Sequence, residues 1–282
     1  MDLSQKSRKA LEYDKITEML ALECSCEESA ALARALVPFD DIEKARHAMR
    51  ETEDACRLSL RFGGPSFYGL KNIKNQLHRA KIGSSLNPRE LLDVKSVLYA
   101  IRTLSHYRET SESMETCLDG YFDNLAPNKY LEDKIDSAII SEDEIADTAS
   151  EELLRIRRAK KRTEERARNQ LEKIIRSPQT QKYLQEAIIT IRGGRFVVPV
   201  KAEWRAEIPG LVHDTSASGS TIFVEPMGVV EANNELKVLS SKEEKEIERI
   251  LDELSKEVGT FADSIKESAD TAVLLDFIFA KA

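Results

Sequence analysis

The sequence predicts a mainly α protein: a helical core with a long antiparallel helix pair carrying a small β-rich tip. Three observations predict it. First, 33% of the 282 residues are charged and only 6% are aromatic, which favours long solvated helices over a sandwich or barrel. Second, the stretch from Ser141 to Arg176 is rich in Glu, Lys and Arg and contains neither Gly nor Pro. Third, the apolar period switches from helical spacing to two around Gly193-Gly194.

Each element follows from local chemistry. Leu11, Ile16, Met19, Leu20, Leu32 and Leu36 stand at helical spacing, so residues 11–36 read as one or two helices that Pro38 stops. Asp40 or Asp41 can cap a helix over 41–62. "RFGGPSFYG" (61–69) is a turn by its Gly-Gly-Pro. Helices over 70–81 and 88–108 follow. Pro88 suits a first helical turn, and Leu91, Leu92, Val94, Val97, Leu98, Ile101 and Leu104 give a broad apolar face. Residues 1–130 are thus expected as a helical core domain.

An outgoing helix is expected within 131–180. Ser141 and Glu144 have capping-box spacing, so about 36 residues of helix spanning roughly 54 Å would start there. Its middle is polar on nearly all faces, which argues against burial in a core. Residues 181–230 form the β tip. "AIITIRGGRFVVPVKAEW" (187–204) reads as strand, Gly-Gly turn, strand, and "STIFVEP" (220–226) as a third strand. A returning helix covers 231–268, with Ile247, Ile250, Leu254, Phe261 and Ile265 at a 3-4 spacing suited to a helix seam. Residues 269–282, ending in "TAVLLDFIFAKA", return to the core. The chain then stops without a C-cap or tail, which suggests a piece of a longer protein.

Composition limits the function classes. A formal net charge of -8 excludes a uniformly basic nucleic-acid binder but leaves room for a local basic patch. The N-terminus "MDLSQKSRKALEYDKI" has no apolar core, and no apolar run approaches the ~20 residues of a membrane span. A cytoplasmic protein with no membrane partner is expected. Cys24, Cys26, Cys56 and Cys117 include one C-x-C pair but no further ligands for zinc, so they read as reduced thiols and no metal is expected. His47, His78 and His106 are isolated on expected helices.

"HDTSASGSTIFVEP" (213–226) groups His213, Asp214, Ser216, Ser218 and Ser220. It fails as an esterase elbow, because Ser216 and Ser220 stand where G-x-S-x-G needs glycine. His213 and Asp214 are adjacent, so on a strand they diverge instead of stacking behind a nucleophile. The chain also lacks G-x-x-x-x-G-K-[ST] and G-x-G-x-x-G, so no nucleotide loop is present. The remaining reading is a turn at Ser-Ala-Ser-Gly-Ser feeding the strand Thr-Ile-Phe-Val, with hydroxyls and N–H groups free for phosphates.

Charge pattern says more. Residues 132–152 carry nine acids against one base, net -8, while residues 155–173 carry nine bases against three acids, net +6. A solvated helix with internal ion pairs explains this run, and so does a footprint for a polyanion. Arg192, Arg195, Lys201 and Arg205 on the tip are the candidate phosphate contacts, followed by Lys160 and Lys161 on the outgoing helix. On an unbroken strand Arg195, Lys201 and Arg205 would share one face, opposite Phe196, Val198, Val200, Ala202 and Trp204. Pro199 can interrupt that strand, and the side of Arg192 depends on the turn. Trp204 and Phe196 can stack on a base or hold the small module together.

Several blocks resemble one family: "LEYDKI", "GLKNI", "IGSSLNPRELLDV" and above all "TIRGGRFVVPVKAEWRAEIPGLVHDTSASGSTIFVEPMGVVEANNEL". They are similar to the bacterial type-two MutS proteins, MutS paralogues that carry an Smr domain. The resemblance implies a core, two lever helices and a clamp at their tip that embraces nucleic acid without reading sequence. It implies no catalytic residue in this stretch and no cofactor here. ATP and Mg belong to an ATPase domain, and nuclease activity to an Smr domain, of a full-length homodimer. Family roles lie in suppressing recombination through branched DNA and in splitting collided ribosomes. Duplex or branched DNA, or rRNA, are therefore the expected partners. The alternative is a purely structural lever that transmits ATPase motion without touching nucleic acid.

Overall fold

The computed structural model of the chain describes residue 8 and residues 10–282. Residues 1–7 and 9 of the expected helical core lie outside that range. In order, the elements are α1 (Tyr13–Glu23), α2 (Glu27–Arg34), α3 (Ile42–Phe62), α4 (Lys74–Lys81), α5 (Pro88–Thr110), α6 (Asp119–Asp123), α7 (Lys129–Ala138), β1 (Ile139–Ser141) and β2 (Glu144–Ile145). Then come α8 (Glu151–Arg176), α9 (Pro178–Gln181), β3 (Thr190–Arg192), β4 (Arg195–Lys201), a 3-10 turn (Ala202–Glu207), β5 (Gly210–Thr215), β6 (Thr221–Pro226) and α10 (Met227–Ala280). Two compact units result, Met1–Ala146 with Leu251–Ala282, and Asp147–Ile250. α10 lends residues to both.

The first unit is a helical core. Asp41 caps α3 by accepting from the N–H groups of Glu43 and Lys44. Asn87 and Glu90 form a reciprocal capping box at α5, with Pro88 at its first position. The apolar face of α5 is covered at Leu91, Val94, Val97, Leu98, Ile101 and Leu104, which are all buried, while Leu92 at its edge is half-buried. The last part of α10 supplies Leu254, Val258, Ala262, Ile265, Ala272, Leu275 and Ile278 to this core. Phe261, expected on the same seam, is 37% exposed, because the buried stripe runs through Val258 and Ala262 instead. Gly259 lets α10 approach α4 closely, since a β-carbon there would sit 2.5 Å from the Ala80 carbonyl oxygen. Three polar residues of α10 satisfy loop N–H groups. Ser255 accepts from Leu86 (2.8 Å), Ser268 from Ala126 (3.0 Å) and Asp276 from Ser25 (2.8 Å).

The expected helix start at Ser141 is wrong. Residues 139–145 form a hairpin with Ser141 opposite Glu144 and Ile139 opposite Ile145. That register buries both isoleucines together, which a helix would separate by more than a turn and a half. The true cap of α8 is Ser150, whose hydroxyl accepts from the Leu153 N–H and donates to Glu246. The segments 131–150 are thus not part of the long helix.

The second unit packs α8 and the start of α10 on an antiparallel sheet of order β3-β4-β6-β5. The hairpin at Gly193-Gly194 forms as expected, both glycines with positive φ. β6 matches the expected third strand, and β5 is a further strand that the sequence pattern does not announce. The core joins Ala167 and Leu171 of α8, Phe196, Val198 and Val200 of β4, Ile222 and Val224 of β6, and Val229, Ala232 and Leu236 of α10. Gly210 is obligatory at the β5–β6 contact, where a β-carbon would collide with the Glu225 carbonyl.

A buried carboxylate organises this unit. The Glu225 side chain is 0% exposed and accepts from Arg195 (2.7 Å), Asn233 (2.7 Å) and His213. The β5 register slips between Val212 and Asp214, leaving His213 in a bulge from which its ring reaches Glu225. Asn233 also donates to the Phe196 carbonyl (3.0 Å) and accepts from its N–H (3.1 Å), which locks α10 to β4. Burial pushes the Glu225 carboxyl up, but hydrogen bonds from Asn233, His213 and Arg195 outweigh it and hold the group below its ordinary value.

Two outcomes follow from this packing. Asn233→Ala takes one of three donors from buried Glu225 and the side-chain partner from the Phe196 N–H and carbonyl, so urea denaturation should show a loss of about 3 kcal/mol. A loss below about 1 kcal/mol would remove Asn233 from its central role. The second outcome concerns acid. Hydrogen bonds from Arg249, and further from Ser150, hold Glu246 at about 2, against an ordinary 4.5. A depressed carboxyl stabilises above its unfolded value and loses that contribution as pH falls through its folded value. Thermal midpoints should therefore decline between about pH 4.5 and 2, and Glu246→Gln should flatten that decline. An identical pH profile in the variant would contradict the assignment.

Candidate nucleic-acid interface

α8 has two faces of different chemistry. Leu153, Ile156, Thr163, Ala167 and Leu171 recur at three- and four-residue steps and are buried. Cations flanking this stripe are tied to α10. Glu243 accepts from Arg157 (2.8 Å) and Lys160 (2.8 Å), and Glu235 pairs with Arg166. Burial pushes Glu243 up, yet its bonds to Lys160 and Arg157 hold it below the ordinary value, so it stays charged.

The opposite face is open and basic. Arg158, Lys161 and Arg162 lie within about 100° of one another around the helix, by its 3.6-residue period. Together with Glu151, Leu154, Arg155 and Glu165 they line a shallow groove of about 620 Å³. Arg155 pairs with Glu152. Arg158, Lys161 and Arg162 have no carboxylate within ion-pair distance among the described residues. They keep their water and their full charge, which is the state a phosphate contact requires.

The six residues expected from sequence do not form one surface. Arg192 pairs with Asp214 (3.3 Å), and its guanidinium lies 4.1 Å from the Phe223 ring centre. Arg195 is held by Glu225 and by the Asn234 side-chain Oδ1 (2.7 Å). Lys201 donates to the Lys182 carbonyl (3.1 Å). Lys160 is neutralised by Glu243. Only Arg205 and Lys161 are exposed without a partner among the described residues. The expected shared face of Arg195, Lys201 and Arg205 does not exist. The strand ends at Lys201, Arg205 sits in the 3-10 turn, and residues 196–200 are all buried, odd and even alike. β4 is covered on both faces of the sheet, so its alternation marks no solvent side.

Arg158 and Arg162 were passed over. Their signal was in the sequence: residues 158, 161, 162 and 165 fall opposite the stripe 156, 163, 167 and 171 on a helical projection.

Hydrolytic chemistry finds no support in the 213–226 stretch. His213 is engaged by buried Glu225, and the serines bond one another, Ser218 to Ser220 at 2.8 Å and Ser216 to Ser218 at 3.3 Å. Among the described residues no three His, Cys, Asp or Glu side chains converge as a metal site. The four cysteines are free, and burial pushes the thiols of Cys24, Cys26 and Cys117 up, away from the reactive thiolate. No described helix is long and apolar enough to cross a membrane.

No protein-family profile matches the chain. Curated proteins do. It is 45% identical over 284 residues to Endonuclease MutS2 of Acetivibrio thermocellus, 42% to that of Ruminiclostridium cellulolyticum and 40% to that of Agathobacter rectalis. Each match covers 99% of this chain but 36% of the relative, so the chain spans about a third of the length of the proteins it matches. The matches run over nearly the whole chain, so what it resembles is one region of a MutS2 protein.

Proposed function

We propose that this chain is the lever-and-clamp region of a MutS2 protein and that it contacts nucleic acid through backbone charge. The unit of α8, the sheet and the start of α10 is the lever end and clamp, and the helical unit is the core. The observation that carries the reading is the open cationic face of α8, Arg158, Lys161 and Arg162, set in a chain of net charge -8. A free basic stripe on an otherwise acidic molecule localises attraction for a polyanion. Arg205 on the tip adds to it, and Lys201 lies nearby in sequence.

The wider activity belongs to the whole protein. The relatives' name, endonuclease, describes them, and a nuclease centre is expected outside these residues. ATP and magnesium are expected there too, since this sequence has no phosphate-cradling loop. In that setting a cytoplasmic homodimer would close on branched DNA, or on rRNA of a collided ribosome. The ion pairs of Arg157 and Lys160 with Glu243 and of Arg166 with Glu235 favour a second role, in which α8 and α10 move as one rod and pass on ATPase motion.

Charge reversal of Arg158, Lys161 and Arg162 to Glu is the direct test. Duplex affinity should fall evenly across unrelated sequences, and the slope of log K against log salt should shrink by about 2 to 3. Folding should persist, because surface changes away from packed features shift stability by roughly 0.5 kcal/mol. A folded triple variant with unchanged affinity and slope would leave only the rod role.

A further inference from the structure

The tip carries a feature that the α8 face does not explain. Trp204 is the chain's single tryptophan. It breaks the 3-10 turn with φ -108° and ψ 20°, and it is 42% exposed. One side of its indole rests against Tyr183, with ring centres 5.3 Å apart and planes tilted by 43°. Tyr183 is fixed in turn, since its carbonyl accepts from the Lys201 N–H (3.0 Å) and the Lys182 ammonium lies 4.8 Å from its ring centre. An indole seated on a second ring and left open to water is a preformed platform.

Its surroundings are polar in a particular way. The Lys201 ammonium bonds the Lys182 carbonyl, and Arg205 is the residue after Trp204. None of Lys182, Lys201 and Arg205 has a carboxylate partner among the described residues. The β5–β6 turn meets the start of the 3-10 turn, where the Ala202 N–H donates to the Ser220 carbonyl (3.0 Å). Glu203 and Glu207 are exposed in the same turn. The local balance is thus only weakly positive, and the ring, not the charge, is the dominant recognition element.

We propose that Trp204 is a stacking site for an unpaired nucleobase, with the adjoining phosphate met by Lys182, Lys201 and Arg205. This rests on the nucleic-acid reading above and adds to it a preference for unpaired strands. In a duplex the base faces are covered by their neighbours, so an aromatic platform gains nothing from them. An unpaired strand offers one face per base, and each stack contributes about 1–3 kcal/mol with little regard to sequence.

Because Trp204 is the only tryptophan, its fluorescence reports this site alone. A short single-stranded oligothymidylate added to the 282-residue chain should quench it saturably, and an equally long duplex should not. By anisotropy of the labelled oligonucleotide, Trp204→Ala should weaken single-strand binding about tenfold, while Trp204→Phe retains most of it. Duplex affinity should be the same in both variants. Binding of the single strand without quenching, or with equal affinity in Trp204→Ala, overturns the proposal. Should the alanine variant fail to fold, the wild-type quench and the phenylalanine variant still decide. The α8 reading fails separately, through duplex binding that ignores reversal of Arg158, Lys161 and Arg162, and leaves the quench intact. Absence of binding to either nucleic acid overturns both.

Discussion

The second unit depends on one buried negative charge. A carboxylate removed from water is tolerable only when both of its oxygens find donors. Glu225 finds them on three separate elements: Arg195 at the start of β4, His213 in the β5 bulge and Asn233 on α10. Meeting that requirement fixes the strand order, the bulge and the position of α10 against the sheet together. Hydrophobic burial supplies most of the stabilisation, but it is non-directional and would accept other registers. The carboxylate does not.

The same logic explains why basic residues close in sequence have different roles. Arg157 and Lys160 lie beside the buried stripe of α8, where partial dehydration demands a counter-charge and Glu243 provides it, while Arg166 pairs with Glu235 in the open. Arg158, Lys161 and Arg162 are only a residue or two away yet point into solvent. Their charges are available to a ligand because folding does not use them. Sorting the nine bases of 155–173 by helical face, and not by count, is what separates structure from function here.

Much of the architecture was legible in the sequence. The aspartate cap at 40–41, Pro88 in the first turn of α5, the Gly193-Gly194 hairpin and the long return helix all followed from local signals that act within a few residues. Failures came where the deciding partner was distant. The Ser141–Glu144 spacing imitates a capping box, and only the joint burial of Ile139 and Ile145 in the core reveals the hairpin. β5 has five exposed residues and so no alternation to read. The expected cationic face on the tip failed similarly. Arg195 meets its carboxylate 30 residues later and Lys160 83 residues later, a range that no local pattern reports.

α10 holds one further lesson, in the three polar residues it turns inward. Serine and aspartate are mediocre helix formers. Ser255, Ser268 and Asp276 nevertheless sit inside a helix of 54 residues, because each holds a loop N–H from elsewhere in the core. Replacing them with alanine would improve the helix by a few tenths of a kcal/mol per site. It would also leave Leu86, Ala126 and Ser25 with unpaired N–H groups, at about 1–3 kcal/mol each where buried. Helicity and integrity of the core therefore pull in opposite directions along α10. A sequence optimised for helix content would yield a more persistent helix with looser loops around it.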